Sequence, residues 1–349
     1  MSDIKINNIT DRSGSSGPVF AGISTVSTSA FMVMPSGPTE FRGGRGRAVI
    51  GAGGYPSGTT GMDYVEIATT GNGNDFGDLI VGDYGRGSFS SSTRGVVGGG
   101  AGSSYIGSIE YQTISSQGGS QDFGDLVRGY RFFRGTSNNN RGTWMGGQRP
   151  STDKEKYAVI INYNDIATLG DANFFANLFE ARTGANATLS SPTRGITAGD
   201  QGYSPYSGVA AVTNGIEFIT FATFGDGLDF GDLSTARSNA AGLSSNTRGV
   251  FGGGNPNSSP NNTNLMEYIT IATLGNAQNF GDLISSQNSS MGTSNNIRGI
   301  FCGGYTTPTE INVIEYITIA STGDATDFGD LVNSKGYLPV AYSDSHGGI

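Results

Sequence analysis

The residues able to do chemistry in this chain are few, and the most regular of them is arginine. It sits at Arg47, Arg94, Arg141, Arg194, Arg248 and Arg298, each time just before an apolar run. An acid follows in every interval but one: Asp63, Glu110, Glu217, Glu267 and Glu315, with Asn162 in the third. A second acid belongs to a closing Phe-Gly-Asp-Leu motif whose Phe is Phe76, Phe123, Phe175, Phe230, Phe280 and Phe328. An arginine repeated six times, with two carboxylates in five of the units, is suited to salt bridges and turn capping. A catalytic centre needs one asymmetric set of groups instead. The expectation is therefore ion pairs internal to each unit, with the closing Asp capping a tight turn through backbone N–H groups. In the third unit Asn162 and Asn177 replace both acids while Arg141 stays, which predicts one hydrogen-bonding neighbourhood shared by the three positions.

Other reactive groups are isolated. Cys302 is the single cysteine, so no intramolecular disulfide or cysteine metal cluster can form, and its apolar flanks read as a small buried hydrophobe. His346 is the single histidine, which leaves no Ser-His-acid triad, two-His metal motif or Cys-His pair. The glycine-rich run from Gly95 to Gly102 lacks the Lys-Ser/Thr and the helix of a phosphate loop. Asp171-Ala172-Asn173 and Gly225-Asp226-Gly227 are oxygen-rich enough to keep calcium open, though neither has an EF-hand pattern. No cofactor, metal or catalytic residue is assigned, and a non-enzymatic protein is expected.

With 20 basic against 29 acidic residues and a formal net charge of −9, the chain is poorly suited to nucleic acid, whose binding rests on Lys and Arg neutralising phosphates. The opening residues lack a basic segment followed by an unbroken apolar core, so neither a signal peptide nor membrane insertion is expected.

The elements that must position these groups are strands. The clearest unit runs from Thr247 to Leu283, and the chain beyond about residue 41 reads as six diverged copies with a period near 50 residues. Glu267-Tyr268-Ile269-Thr270-Ile271-Ala272-Thr273 has the β-branched and aromatic content of a strand, and no stretch carries a sustained helical stripe. Double glycines punctuate the runs at Gly53-Gly54, Gly99-Gly100, Gly146-Gly147, Gly253-Gly254 and Gly303-Gly304, while the fourth copy has Ala198-Gly199-Asp200. About four short strands per unit make one propeller blade. Unit one lacks a first strand, and Leu338 to Ser343 have no unit of their own, so the C-terminal strand is expected to complete blade one. The expected fold is all-β: a six-bladed propeller over 41–349, closed by the C-terminal strand and preceded by a non-repeat N-terminal arm over 1–40.

An apolar strand ending in a double Gly, a strand with an acid followed by Tyr, and an aromatic some ten residues on resemble kelch-type β-propellers, here with Phe where kelch units usually have Trp. Galactose-oxidase-like copper chemistry on that frame needs two His ligands that this chain lacks. Units of this wording, with the opening ITDRSGSSGPVFAGISTVSTSAFMVMPSGPT from Ile9 to Thr39, resemble virion proteins of tailed bacteriophages, marine ones especially. That resemblance implies a virion surface component on tail, fibre or capsid, assembled in a host cytoplasm. Its arm would attach to other virion proteins, and its propeller would face a host cell-surface glycan or protein.

What varies between units is the connection after each double Gly: YPSGTTGM, AGSSYIGSI, QRPSTDKEKYAVI, QGYSPYSGVAAVTNG, NPNSSPNNTNLM and YTTPTEINV. Equivalent connections leave one face, and their Tyr, Ser, Asn, Pro and Gly content suits adaptable recognition. Tyr203, Tyr206, Tyr157 and Tyr305 are the candidate anchors. A lectin-like binding module outside any virion is the alternative, and a hydrolase or oxidase with an unrecognised site is the third reading.

Overall fold

A computed structural model describes residues 46–54, 58–102, 104–149, 158–182, 186–203, 210–258, 261–336 and 338–345, all within a unit spanning Arg42–Ile349. Among these residues there is no helix, and the strands form a six-bladed β-propeller. Each blade is an antiparallel four-stranded meander. Blade 2 is representative, with inner strand Gly87–Ser90, second strand Arg94–Gly98, third strand Ser108–Thr113 and outer strand Gln121–Asp125.

Blade 1 takes its inner strand, Val340–Ser343, from the far end of the chain and its other three from Arg47–Gly51, Gly61–Glu66 and Asn74–Asp78. The pairing Ala48↔Ser343 to Gly51↔Val340 repeats the register Gly95↔Ser90 to Gly98↔Gly87 of blade 2. Closure even copies the local turn. Within blades 2 to 6 a Ser or Asn just after the inner strand accepts the arginine amide, as in Arg94 N–H to Ser91 Oγ at 3.2 Å and Arg298 N–H to Asn295 Oδ1 at 2.7 Å. In blade 1 the acceptor is Asp344 Oδ1, 2.9 Å from Arg47 N across 297 residues.

The six inner strands surround the axis, and one serine from each completes a ring. Ser137, Ser190, Ser244, Ser294 and Ser343 each donate their hydroxyl to the carbonyl of the serine one blade back, at 2.6–2.7 Å. Ser90 closes the circle by donating to Ser343 O at 2.9 Å. Every hydroxyl points the same way around, and all six serines are buried, so each strand's otherwise unpaired carbonyl is satisfied by its neighbour.

Between neighbouring blades lie six apolar clusters, one per interface. The motif Phe belongs to them: Phe76 and Leu79 pack with Val97 and Ile114 of the next blade. The extra residue that turns Phe76 inward is a β-bulge, seen as Met62↔Gly77 followed by Asp63↔Asp75, and blades 2 to 6 all repeat it. Cys302 is fully buried in the cluster between blades 6 and 1, and burial pushes its thiol pKa up, as the sequence reading of a small hydrophobe requires. Blades 3 and 4 depart from the others. In blade 4 the second and third strands lengthen to Arg194–Tyr203 and Ala210–Thr220, the outer strand of blade 3 runs Asn173–Arg182, and the bridge Arg182↔Gly202 fuses the two blades into one sheet.

Candidate functional site

The repeated acids and arginines hold blades to one another, which corrects the expectation that they pair with each other inside each unit; Arg47 and Arg141 do have in-blade acids, but at other positions, Glu66 at 3.0 Å and Asp165 at 3.9 Å. Each repeat arginine crosses to the next blade and donates to the carbonyl that ends its third strand: Arg47 to Ile114, Arg141 to Phe221, Arg194 to Ile271, Arg248 to Ile319 and Arg298 to Ile67, at 2.6–3.3 Å. Its own blade supplies a stacking surface, the aromatic that follows the acid. The guanidinium carbon lies 4.4–4.9 Å from the ring centroid of Tyr64, Tyr111, Tyr163, Phe218, Tyr268 or Tyr316. One end of the propeller is thereby laced by a band of cation–π contacts.

The acids lace the other end, with different cations. Glu110 accepts Ile80 N–H of the preceding blade at 2.6 Å and pairs with Arg86 on the connector between blades at 2.5 Å. Glu217 does the same with Phe179 N–H and Arg182, and Glu267 with Ser234 N–H and Arg237. Asp63 receives Val332 N–H at 3.0 Å, and Lys335 faces it from the connector while donating to Gly61 O. Burial raises the pKa of Asp63 and lowers that of Lys335, each charge partly offsetting the other's shift. Blade 6 keeps Glu315, bound to Ile284 N–H at 2.8 Å, but its connector offers Gln287 in place of a cation. Glu315 Oε1 and Gln287 Oε1 are both buried without a hydrogen-bond partner among the described residues, and desolvation raises the pKa of Glu315.

Blade 3 departs at the acid position, where it has Asn162. Where the connectors above supply Arg or Lys, the one entering blade 3 supplies the apolar rings of Tyr130 and Phe133, both buried. The shared neighbourhood with Arg141 expected from sequence is wrong: Arg141 lies at the opposite end, over Tyr163 and Phe224.

The closing motif works through its backbone. Its Asp sits in a strand, not a turn, and its amide is received by the next blade's turn: Asp125 N–H by Asp171 Oδ1, Asn177 by Asp226, Asp232 by Asn276, Asp282 by Asp324 and Asp330 by Asn72, all at 2.9–3.0 Å. The carboxylates of Asp78, Asp125, Asp232, Asp282 and Asp330 are exposed. The turn-capping role assigned to them belongs instead to acids and amides in the turns, among them the oxygen-rich loops at Asp171 and Asp226. In five blades the motif residue is a glycine in close approach to the next blade, while blade 3 has Ala176. Gly231 has φ +144°, and a Cβ there would stand 2.5 Å from Gly275 O of the next blade.

At the axis the opening is small. Inner-strand residues line a cavity of about 30 Å³, room for a water molecule or two. Arg134 of blade 3 lines it, fully buried, with Asp200 of blade 4 as its electrostatic partner. Asp200 occupies the fourth copy's departure from the double glycine and keeps a glycine-like φ of +142°. Sequence reading noted that departure but not the arginine that answers it, because nothing local connects the two positions.

The connections after each double glycine do leave one face, together with the connectors between blades. Of the candidate anchors, Tyr305 is half-buried in a short hairpin, Tyr305–Thr306 with Thr309–Glu310, and its carbonyl accepts Asn262 Nδ2 at 3.2 Å. Tyr203 lies in a strand, with its side chain outside the described set. Tyr157, Tyr206 and His346 lie outside the described residues, as does the 1–40 arm. Beside Tyr305, Asn261, Asn262, Ser286, Thr306 and Thr307 line a polar cleft of about 270 Å³ between blades 5 and 6. Among the described residues no group of three or more His, Cys, Asp or Glu is placed to hold a metal ion, and no helix is long and apolar enough to cross a membrane. No protein-family model matches the chain, and no curated protein matches it.

Proposed function

We propose that this protein is a non-enzymatic virion component of a tailed bacteriophage, on tail, fibre or capsid, whose kelch-like propeller is a display and recognition head. The observation that carries the reading is the division of labour between constant and variable residues. The repeated Arg and buried acidic positions are engaged in holding blades together, while the connections that differ in length and composition share one face. Rigid scaffolds with variable loops are the usual design for recognition. The wording of the units and of Ile9 to Thr39 supports the virion assignment, and the 1–40 arm is the proposed attachment to other virion proteins. Co-sedimentation tests this: the protein should travel with purified particles, and a version starting near Gly43 should fold yet be lost from them. Absence of the full chain from the particle fraction would sink the proposal.

The lectin-like alternative draws on the amide- and hydroxyl-lined cleft beside Tyr305, whose neutral hydrogen-bonding groups suit sugar hydroxyls. Binding of neutral oligosaccharides without particle association would favour it.

A further inference from the structure

Four of the six seams between blades follow one electrostatic rule, a buried acid of one blade against a cation carried in from the end of the blade before it. The seam between blades 5 and 6 keeps half of that rule. Its acid is in place: Glu315 is 1% exposed and accepts Ile284 N–H at 2.8 Å, as Glu217 accepts Phe179 N–H at 2.7 Å. The position that supplies the cation is in place too. The carbonyls of Arg182, Arg237 and Lys335 accept the amides of Gly147, Asp200 and Gly304 in their own blades, and Gln287 O accepts Gly254 N–H in the same way, all at 2.8–3.0 Å. Gln287, also 1% exposed, thus starts from the backbone position of a cation and brings a neutral amide. Between blades 2 and 3 the acid itself is gone, replaced by Asn162, so among the buried acids at this position Glu315 alone has no cation facing it. Burial pushes its pKa up, and the like charge of Asp327 adds to the shift. Glu315 Oε1 and Gln287 Oε1 are two buried acceptors with no donor among the described residues. Turning the Gln287 amide over would offer an N–H but no charge, and an uncompensated buried carboxylate is costly.

We propose that this seam binds a monovalent cation, Na⁺ or K⁺, on Glu315 Oε1 and Gln287 Oε1, in the place where four other seams hold a guanidinium or an ammonium. The carbonyl oxygens that help hold those cations have counterparts here. Arg182 donates to Gly199 O at 2.5 Å and Gly215 O at 3.3 Å, Arg86 to Gly99 O at 2.9 Å, and Lys335 to Gly61 O at 2.9 Å. In blade 6 the same places belong to Gly303, first of its double glycine, and to Val313, which pairs with Asp330 as Gly215 does with Asp232 and Gly61 with Asp78. One carboxylate among amide and carbonyl oxygens is a hard donor set carrying a single negative charge. Calcium sites usually gather more carboxylates, and transition metals favour imidazole or thiolate. Water reaches the neighbouring residue, since Ser286 lines the polar cleft between the same two blades and gives a hydrated ion an approach. The inference stands apart from the virion reading, since it requires no particle.

Thermal melting of the full chain at neutral pH, in NaCl, KCl and choline chloride of equal ionic strength, tests this, because choline is too large for a buried seam. At about 0.3 M Na⁺ or K⁺ and millimolar affinity, the melting temperature should stand roughly 3–5 °C above its value in choline. Gln287→Arg, which copies the residue of blades 3 and 4, should melt above the wild type in choline and no longer respond to either ion. Without an ion Glu315 is the unbalanced acid, so Glu315→Gln should also melt above the wild type in choline and show no response to Na⁺ or K⁺. This second variant keeps the acceptor for Ile284 N–H and covers the case in which Gln287→Arg does not fold. Equal melting of the wild type in all three salts overturns the proposal and leaves a proton on Glu315 as the balancing charge. So does a response to Na⁺ or K⁺ that persists undiminished in Glu315→Gln, or a wild-type response to CaCl₂ alone.

Discussion

Glycine follows the repeat arginine because of a side chain in another blade. A methyl built on Gly249 would stand 2.5 Å from Leu189 Cδ2 of the preceding blade, and Gly195 faces Thr136 and Gly142 faces Phe89 in the same way. Blade 1 alone has Ala48, facing Thr293 of blade 6; a threonine does not by itself make the room, since a Cβ on Gly195 would stand 2.8 Å from Thr136 Cγ2. Gly249→Ala should therefore destabilise by about 1–3 kcal/mol through overpacking. Adding Leu189→Thr, which copies the Thr293 and Ala48 pair, should recover part of that loss, as a double-mutant cycle on melting curves would show. Glu315 is the other instructive residue. Its folded pKa lies above the ordinary 4.5, so the folded protein holds a proton that the unfolded chain releases between those two values. Its contribution to stability is present below pH 4.5 and is lost as pH rises through the folded value. Glu315→Gln keeps the acceptor for Ile284 N–H, so it should raise the melting temperature at pH 7 and flatten that part of the pH profile. A drop at neutral pH would contradict the assignment.

At the scale of the element, two acids of each repeat look alike in sequence and differ in consequence. Glu110 is buried against Arg86, and its removal leaves an uncompensated cation, a cost of roughly 3–5 kcal/mol. Asp78 is exposed and receives only Thr60 Oγ1. Glu110→Ala should lower stability severely and Asp78→Ala by no more than about 0.5 kcal/mol, as is usual on surfaces; comparable losses in urea titrations would refute the division. Strands, blade number and closure were legible from the spacing of Arg, double Gly and Phe, since each reflects period and turn chemistry within one unit. The seams were not. Arg86, Arg237 and Lys335 sit on connectors and Arg182 ends an outer strand, and each meets its acid in the next blade at a different sequence separation, so no fixed offset announces the pairs. The pairing of Arg134 with Asp200 escaped notice for the same reason.

For the whole molecule, the C-terminal strand carries more than one blade's edge. Val340, Ala341 and Tyr342 are buried side chains worth roughly 1–3 kcal/mol each, and Ser343 is one member of the hydroxyl ring. Deleting 338–349 should leave Ser90 Oγ and Ser294 O unpartnered, open an inner sheet edge and cause aggregation. An unchanged melting curve would disprove the closure. Asp344→Ala is the milder version, removing one cap and costing about 1 kcal/mol. The latch also sets an order in time. Synthesis adds roughly 5–20 residues per second, so the 297 residues between Arg47 and Asp344 take about 15–60 s to make. Throughout that interval the nascent first blade offers the rest of the cell an unfilled groove shaped for a four-residue strand, and any extended segment of similar wording, including one from a neighbouring polysome, competes for it until the chain's own arrives.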